Sequence, residues 1–332
     1  MKQLFITAPR QVEFQETPIP VCPPDGILVK AVITTVSSGT EIRVYRAIPV
    51  DKEGKYLHTN YPYKLPCVNG YSMVGKVVEI GAKVNNFAVG DRVFVAQPHG
   101  EYAVELAKDA IKLPSSIPDE EAVFLSLLRV TQTAIRRGNP TPGETVAIIG
   151  QGVIGQSTLA LCQAFGHPSI AIDQHESRLE ISRQLGADLA ISPNEKDFNL
   201  RVLEFCGGRG ADLVIEAASV WPAIQTSMEI ARPGGKVVVV ARHTDMPNFS
   251  PVNDPYLGKD VSLVSSYIAD PEGQRWDYNN TMSLNLKLFE KKKLSLAPMI
   301  THHFQWNELS EAYSRLDQGE LDMVGVIVHW DK

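Results

Sequence analysis

Three glycines with the spacing G-x-G-x-x-G stand directly after a short apolar run, Val146–Ile149. A run that is apolar throughout and rich in β-branched residues is typical of a strand buried on both faces. Each glycine has its own physical role: Gly150 permits a tight turn, Gly152 lets a pyrophosphate approach the backbone, and Gly155 lets a helix pack on the sheet. The pattern therefore predicts a strand, a phosphate-binding loop and a helix over residues 153–165.

The residues around this loop indicate a nicotinamide dinucleotide. Val153 and Ile154 open the predicted helix, so their amides and the helix dipole would face the phosphates. Asp173 ends the next apolar run, about twenty residues past the glycines, where an acid binds ribose hydroxyls and repels a 2′-phosphate. Arg178 could lie against the adenine or meet a phosphate, and Ala217, which ends D-L-V-I-E-A, is a further candidate contact. We predict NAD as the cofactor, with NADP as the alternative.

The overall composition is that of a soluble protein long enough for two domains, with 332 residues, of which 44% are hydrophobic and 21% charged. The net charge is -6 and the basic run Lys291–Lys293 is short, so neither nucleic acid nor membrane is expected as a partner.

The first residues are too few and too polar for a signal peptide, which makes the cytoplasm the expected location. The four cysteines form no C-x-x-C pair, so neither a disulfide framework nor a zinc knuckle is expected.

Two kinds of element must position these residues. Over residues 1–115, short alternating or apolar runs between glycine corners predict a barrel-like all-β domain. A polar stretch at 46–65 is expected to be a surface loop and a candidate substrate lid. From Thr145 onward, strands and helices alternate, which predicts a doubly wound parallel sheet. The predicted strands of that sheet cover residues 145–149, 169–172, 188–191, 212–216, 236–240 and 261–264.

The pattern changes again after about Tyr267. Because six parallel strands already complete the sheet, we expect the remaining tail to return to the first domain. The tail is predicted to contain a helix, an extended run, a second helix and a closing strand, at 276–292, 300–301, 306–316 and 324–330. The expected division is a first domain of residues 1–120 completed by 268–332, and a second domain of residues 121–267.

Several motifs occur in an order that resembles the medium-chain dehydrogenase/reductase superfamily, of the alcohol and polyol dehydrogenase type. The motifs are V-S-S-G-T-E around Ser38, V-N-G-Y-S-M-V-G-K-V-V-E-I-G from Val68, V-G-D-R-V from Val89, G-E-Y-A-V-E from Gly100, L-G-A-D from Leu185, D-L-V-I-E-A from Asp212 and R-P-G-G-K-V-V from Arg232. The resemblance implies an α/β protein with a GroES-like β-barrel catalytic domain and a Rossmann domain. It also implies a homodimer joined through the cofactor domains, with the strand near 261–264 as the candidate edge.

The zinc ligands expected from this resemblance are replaced. Where zinc-dependent members read Cys-Gly-Thr-Asp and Gly-His-Glu, this chain has Ser38 and Tyr71 at the ligand positions, and the third ligand aligns with Ser126. Hydroxyl groups are poor zinc ligands at neutral pH, and the clustered cysteines of a structural zinc lobe are missing. Cys67 and His99 could only rebuild a site away from the family positions. We therefore predict that neither zinc is bound.

Without zinc, other groups must polarise a carbonyl or stabilise an alkoxide during hydride transfer. Thr40 matches the hydroxyl that relays protons in zinc-dependent members. We predict that Tyr71, Thr40 or both hydrogen-bond to the substrate oxygen, with Glu41 ordering the network beside Ser38. Glu41 could instead form a structural ion pair, and Tyr71 could serve only as a wall of the pocket.

Three functions remain open on the sequence. The first is a zinc-independent alcohol dehydrogenase or ketoreductase acting on a sugar, polyol or secondary metabolite, which the polar loop at 51–60 favours. The second is a quinone or enoyl reductase, a class that usually prefers NADPH and is disfavoured by Asp173. The third is a catalytically inactive dinucleotide-binding sensor or scaffold.

Overall fold

The computed structural model describes residues 1–47, 65–243, 246–247, 249–267 and 271–330. Most of the polar stretch expected to form a lid, including residues 51–60, lies outside the described residues.

The first part of the chain is built mainly from short strands, as its alternating pattern predicts. The strands are β1 (Lys2–Ala8), β2 (Gln11–Glu16), β3 (Gly26–Thr35), β4 (Cys67–Val68), β5 (Met73–Ile80), β6 (Arg92–Val95), β7 (Tyr102–Leu106) and β8 (Ile111–Lys112). Two helices accompany them, α1 (Ser38–Tyr45) and α2 (Asp119–Ala122). The sequence analysis did not predict α1, which begins three residues after the last residue of β3.

The middle of the chain forms the predicted alternation of strands and helices. The helices are α3 (Leu125–Gly138), α4 (Val153–Phe165), α5 (Glu176–Gln184), α6 (Phe198–Phe205), α7 (Trp221–Ile230) and α8 (Tyr278–Glu290). The strands are β9 (Val146–Ile149), β10 (Ser169–Ile172), β11 (Leu189–Ile191), β12 (Ala211–Glu216), β13 (Ala231–Val239) and β14 (Ser262–Ser265). They form a six-stranded parallel sheet in the order β11-β10-β9-β12-β13-β14. The strand order reverses between β9 and β12, where ligands of such sheets bind.

The last part of the chain adds β15 (Ile300–Gln305), α9 (Leu309–Asp317) and β16 (Gly325–His329) to the first group of strands. β16 pairs with β3 and continues a sheet in the order β15-β16-β3-β5-β6-β8, in which β7 also pairs with β3. A smaller sheet has the order β2-β1-β4. The fold class is therefore as predicted, a GroES-like unit and a Rossmann unit.

The chain divides into two compact units, Met1–Ser126 with Ile300–Lys332 and Leu127–Met299. The sequence places the return to the first unit at residue 268, whereas the structure places it after α8. The reason is polar packing between α8 and α3: Gln132 Nε2 donates to Asn285 Oδ1 at 2.6 Å, and Arg136 Nη1 donates to Thr281 Oγ1 at 3.1 Å. These contacts hold α8 within the second unit.

Burial explains why the parallel strands have no polar alternation. Every residue of β9 and β10 is buried, because helices cover both faces of such a sheet. Among the described residues, no helix combines the length and apolar character needed to cross a membrane.

Asp317 joins the ends of α9 and α1. Its carboxylate accepts hydrogen bonds from the guanidinium groups of Arg46 and Arg10, and Arg10 Nε lies 2.7 Å from Oδ2. Burial opposes ionisation, but the hydrogen bonds and charges of the two guanidinium groups outweigh it, so the pKa of Asp317 lies below its ordinary value.

We expect Asp317→Asn to lower the free energy of unfolding by about 1 kcal/mol near pH 7, because it removes a doubly paired, largely buried carboxylate. A lowered native pKa means that this contribution is complete above the unfolded pKa of about 3.9 and is lost as the pH falls through the native value. Urea unfolding at several pH values measures the difference. The exposed Asp25→Asn serves as control, and a difference that does not shrink in acid would contradict the assignment.

Candidate functional site

The three fingerprint glycines lie in the loop between β9 and α4, and the structure separates their roles. Gly150 has a φ of +92°, and a Cβ there would lie 2.8 Å from the backbone of Ala218. A Cβ on Gly155 would lie 1.8 Å from the carbonyl oxygen of Gly150. A Cβ on Gly152 would have nothing within 4 Å. Two glycines are therefore required by packing, and the third leaves open space at the start of α4, as a phosphate requires.

The other predicted cofactor residues surround the same loop. Val153 and Ile154 form the first turn of α4. Asp173 follows β10, and its Oδ2 accepts a hydrogen bond from the amide of Gln151 at 2.7 Å. Arg178 Nη1 lies 3.6 Å from the same oxygen. The amide of Ala217 donates to the carbonyl of Ile149 at 2.8 Å.

These contacts place the predicted cofactor residues at the carboxyl ends of β9, β10 and β12. That edge of a doubly wound sheet is where dinucleotides bind.

A buried glutamate in this region was missed by the sequence analysis. Glu216, the last residue of β12, is fully buried and accepts hydrogen bonds from the amides of Ala218 and Ser219, each at 2.8 Å. Its other oxygen lies 2.9 Å from His243 Nε2. The available signal was a charged residue directly after the apolar run Leu213–Ile215, because such a carboxylate needs several donors when it is buried. Glu216 thus fixes the turn that follows β12.

The predicted catalytic residues Ser38, Thr40 and Glu41 lie on α1. Ser37 is the N-cap of this helix, and the side chain of Glu41 turns back so that Oε1 accepts from the Ser37 amide at 2.7 Å. An acidic side chain in the first turn thereby satisfies an amide that has no partner within the helix. Ser38 and Thr40 are half-buried.

The carboxylate of Glu41 is fully buried and has two further donors. Tyr313 donates its hydroxyl proton to Oε2, and His99 Nε2 lies 2.9 Å from the same oxygen. His99 Nδ1 lies 2.7 Å from the hydroxyl of Thr34, which accepts from Trp330 Nε1 at 3.0 Å. Since a carboxylate only accepts, His99 Nε2 is the donor in its hydrogen bond to Glu41. Glu41 is therefore a buried, fully paired carboxylate.

Tyr313 is also missing from the sequence-based candidates. Burial, reinforced by the charge of Glu41, raises the pKa of Tyr313 well above its ordinary value, so the residue remains a phenol and a donor. Asn69 Nδ2 donates both to the Tyr313 hydroxyl at 3.1 Å and to the carbonyl of Glu41 at 3.2 Å. Nothing in the sequence near residue 313 marked it as a partner of residue 41, since the contact depends on the return of the tail.

The segment V-N-G-Y-S positions Tyr71. Gly70 has a φ of +96°, and a Cβ there would lie 2.6 Å from the ring of His99, so the histidine packs directly on this glycine. Tyr71 donates its hydroxyl proton to the hydroxyl of Ser37, and its carbonyl accepts from the hydroxyl of Ser126 at 2.9 Å. The structure therefore connects Tyr71 to Glu41 through Ser37.

The residues that the resemblance places at the family's zinc positions are poor ligands for the metal. Ser38, Tyr71 and Ser126 offer hydroxyl groups, whereas zinc prefers thiolate, imidazole and carboxylate ligands. Burial raises the pKa of Cys67, which disfavours the thiolate that a metal requires. Both ring nitrogens of His99 are already engaged within the buried chain of hydrogen bonds.

Two family models match the chain in sequence order. The model described as alcohol dehydrogenase GroES-like domain matches residues 23–112, and the model described as zinc-binding dehydrogenase matches residues 153–284. The two matches fall in the first and second units respectively.

Relatives match over nearly the whole length. L-threonine 3-dehydrogenase from Pyrococcus abyssi is 26% identical, with 94% of each chain covered. Sorbitol dehydrogenase from Bacillus subtilis is 24% identical, with 99% of this chain and 97% of the relative covered. An Escherichia coli alcohol dehydrogenase solved with NADH has a TM-score of 0.81 at 22% identity, with 99% of each chain covered. The chain thus belongs to the medium-chain dehydrogenase/reductase superfamily and is an oxidoreductase of its alcohol dehydrogenase type.

Proposed function

We propose that this protein is a zinc-independent, NAD(H)-dependent oxidoreductase that interconverts an alcohol and a carbonyl on a polar small molecule. The observation that carries the proposal is the hydrogen bonding of Tyr71, which the family resemblance places at a zinc-ligand position. Its hydroxyl donates to the Ser37 hydroxyl, and the Ser37 amide donates to the Glu41 carboxylate. A series of hydroxyl groups beside an ordered carboxylate can donate and accept protons without a metal.

In this proposal, the glycine loop and Asp173 would hold the nicotinamide cofactor, which would supply the hydride acceptor for alcohol oxidation and the hydride donor for carbonyl reduction. Tyr71 and Thr40 hydrogen-bond to the reacting oxygen. As the carbonyl forms, the proton of that oxygen passes through one of these hydroxyl groups to solvent water. In reduction the same groups return the proton to the oxygen. Hydroxyl donors aimed at a developing alkoxide stabilise the charge that zinc otherwise neutralises.

Glu41 acts as a positioning residue. Its oxygens are engaged by the Ser37 amide, His99 and Tyr313, so it has little capacity to take a proton from substrate. By fixing Ser37 at the start of α1, it fixes the acceptor for the Tyr71 hydroxyl. Ser38, in the same first turn, is proposed to contact the substrate.

The polar substrate is proposed from the relatives, whose names give L-threonine and sorbitol, two small molecules with hydroxyl groups. A homodimer is proposed through β14, which is the last strand of the parallel sheet and carries an exposed Leu263. A quinone or enoyl reductase and an inactive dinucleotide-binding protein are the competing outcomes of the tests below.

We expect Tyr71→Phe or Thr40→Val to lower kcat by about 100-fold, because each removes a hydroxyl that would move the substrate proton. A screen of polyols and hydroxy amino acids with NAD⁺ first identifies a substrate, and steady-state kinetics then compares the variants. Tyr102→Phe, on β7, is the matched control and should retain wild-type kcat. Full turnover in both Tyr71→Phe and Thr40→Val would overturn the hydroxyl mechanism.

Gly152 gives a test of the cofactor loop that is separate from folding. A methyl group on Gly152 has open space around it, so Gly152→Ala should fold normally. The same methyl group would occupy the space left for the pyrophosphate, so NADH binding should weaken by at least about tenfold. Fluorescence titration with NADH measures the affinity, and thermal unfolding without cofactor checks the fold. Gly258→Ala, whose Cβ would meet only one atom at 3.8 Å, is the control. Unchanged NADH affinity in Gly152→Ala would place the cofactor elsewhere.

Asp173 gives the test of cofactor preference. We expect the wild type to bind NADH at least about tenfold more tightly than NADPH, because the carboxylate beside the glycine loop repels a 2′-phosphate. Asp173→Ser should lower the ratio of NADH affinity to NADPH affinity. The ratio is the readout, since loss of the hydrogen bond to Gln151 can weaken both cofactors together. A wild-type preference for NADPH would favour the quinone or enoyl reductase alternative.

A further inference from the structure

A second group of ligand-type side chains lies in the first unit, apart from the residues discussed above. His303 Nδ1 and His329 Nε2 share a hydrogen bond of 3.0 Å, whose proton a metal ion would replace, and His303 Nδ1 lies 4.0 Å from Glu120 Oε1. All three ligand atoms lie within 4.8 Å of one another. Within the described parts of the chain, this His–His–Glu cluster is the one group of three such residues close enough to share an ion.

The sheet brings the two histidines together. β15 and β16 are parallel, His303 is opposite Ile327, and His329 lies two residues further along β16 on the same face. The imidazole rings stack with centroids 5.3 Å apart and planes at 19°. Glu120 comes from the first turn of α2, a third segment of the chain. The cluster therefore joins β15 and β16 of the returning tail to α2, which follows strands β1 to β8.

The spacing of the cluster is close to that of a coordinated ion. Zinc binds imidazole nitrogen at about 2.0–2.1 Å, which puts two nitrogens of a tetrahedral site about 3.3 Å apart. The two histidine nitrogens are 3.0 Å apart, within a few tenths of an ångström of that value. To reach that spacing from His303 Nδ1, the Glu120 oxygen must approach by roughly 0.7 Å, and its side chain is 49% exposed and able to rotate.

We propose that His303, His329 and Glu120 bind one divalent transition-metal ion, with zinc as the expected occupant and water in the fourth position. Two imidazoles and one carboxylate form a zinc ligand set, whereas magnesium and calcium favour oxygen ligands throughout. The ion would join β15, β16 and α2, and it takes no part in the hydride chemistry proposed above.

Titration of the chelator-treated protein with Zn²⁺ tests the site. We expect one Zn²⁺ per chain by isothermal titration calorimetry. His303→Ala and His329→Ala should each weaken that binding by at least about tenfold, since loss of even an outer-shell partner of a metal ligand typically costs about 10–100-fold. Cu²⁺ should compete with Zn²⁺ and show nitrogen hyperfine coupling from two imidazoles in its electron paramagnetic resonance spectrum. Mg²⁺ should not compete.

His302→Ala is the matched control, because His302 is the neighbour on the same strand and lies near Glu320 instead. It should bind Zn²⁺ as the wild type does. The three histidine variants should share the wild-type unfolding temperature without metal, and Zn²⁺ should raise that temperature only in the wild type and His302→Ala. Equal Zn²⁺ binding by the wild type and a His303→Ala/His329→Ala double variant, or no binding by the wild type, would overturn the proposal.

Discussion

The buried carboxylate of Glu41 is the constraint on which the first unit depends. A fully buried charge is costly unless hydrogen-bond donors surround it, and here the donors come from Ser37, His99 and Tyr313. Two of these partners lie 58 and 272 residues away along the chain. The carboxylate is therefore satisfied only when α1, the loop before β7 and α9 on the returning tail have all assembled.

These hydrogen bonds give Glu41 a positioning role in the proposed mechanism. A carboxylate with three donors is a rigid anchor, and its effect on chemistry passes through the residues that it positions. Through the Ser37 amide it fixes the start of α1, and Ser37 in turn accepts the hydroxyl proton of Tyr71. The sequence left two interpretations open for Glu41, an ordering role in catalysis and a structural pair. The structure shows the structural hydrogen bonds, and the ordering role stays a proposal.

Local patterns predicted most of the fold. The strand, glycine loop and helix from Val146 to Phe165 depend on neighbouring residues, and the structure places each of them as predicted. Helix α1 was missed because it follows a long strand directly. Its first turn also depends on a hydrogen bond from the amide of the N-cap residue Ser37 to the side chain of Glu41. The placement of α8 was missed because it depends on hydrogen bonds such as Gln132 to Asn285, which join residues 153 positions apart. Pairs such as Glu41 and Tyr313, or Glu216 and His243, leave no signature in a single sequence, since only tertiary packing brings them together.

Turnover by metal-free protein would show whether the hydroxyl groups near Glu41 can replace zinc. The protein to use is the His303→Ala/His329→Ala double variant, so that an ion at the surface cluster cannot be mistaken for a catalytic one. After exhaustive chelation, its metal content would be measured by elemental analysis and its alcohol oxidation followed by NADH absorbance. We expect full turnover with far less than one zinc per chain. Activity that disappears on chelation and returns in proportion to one bound Zn²⁺ would contradict it.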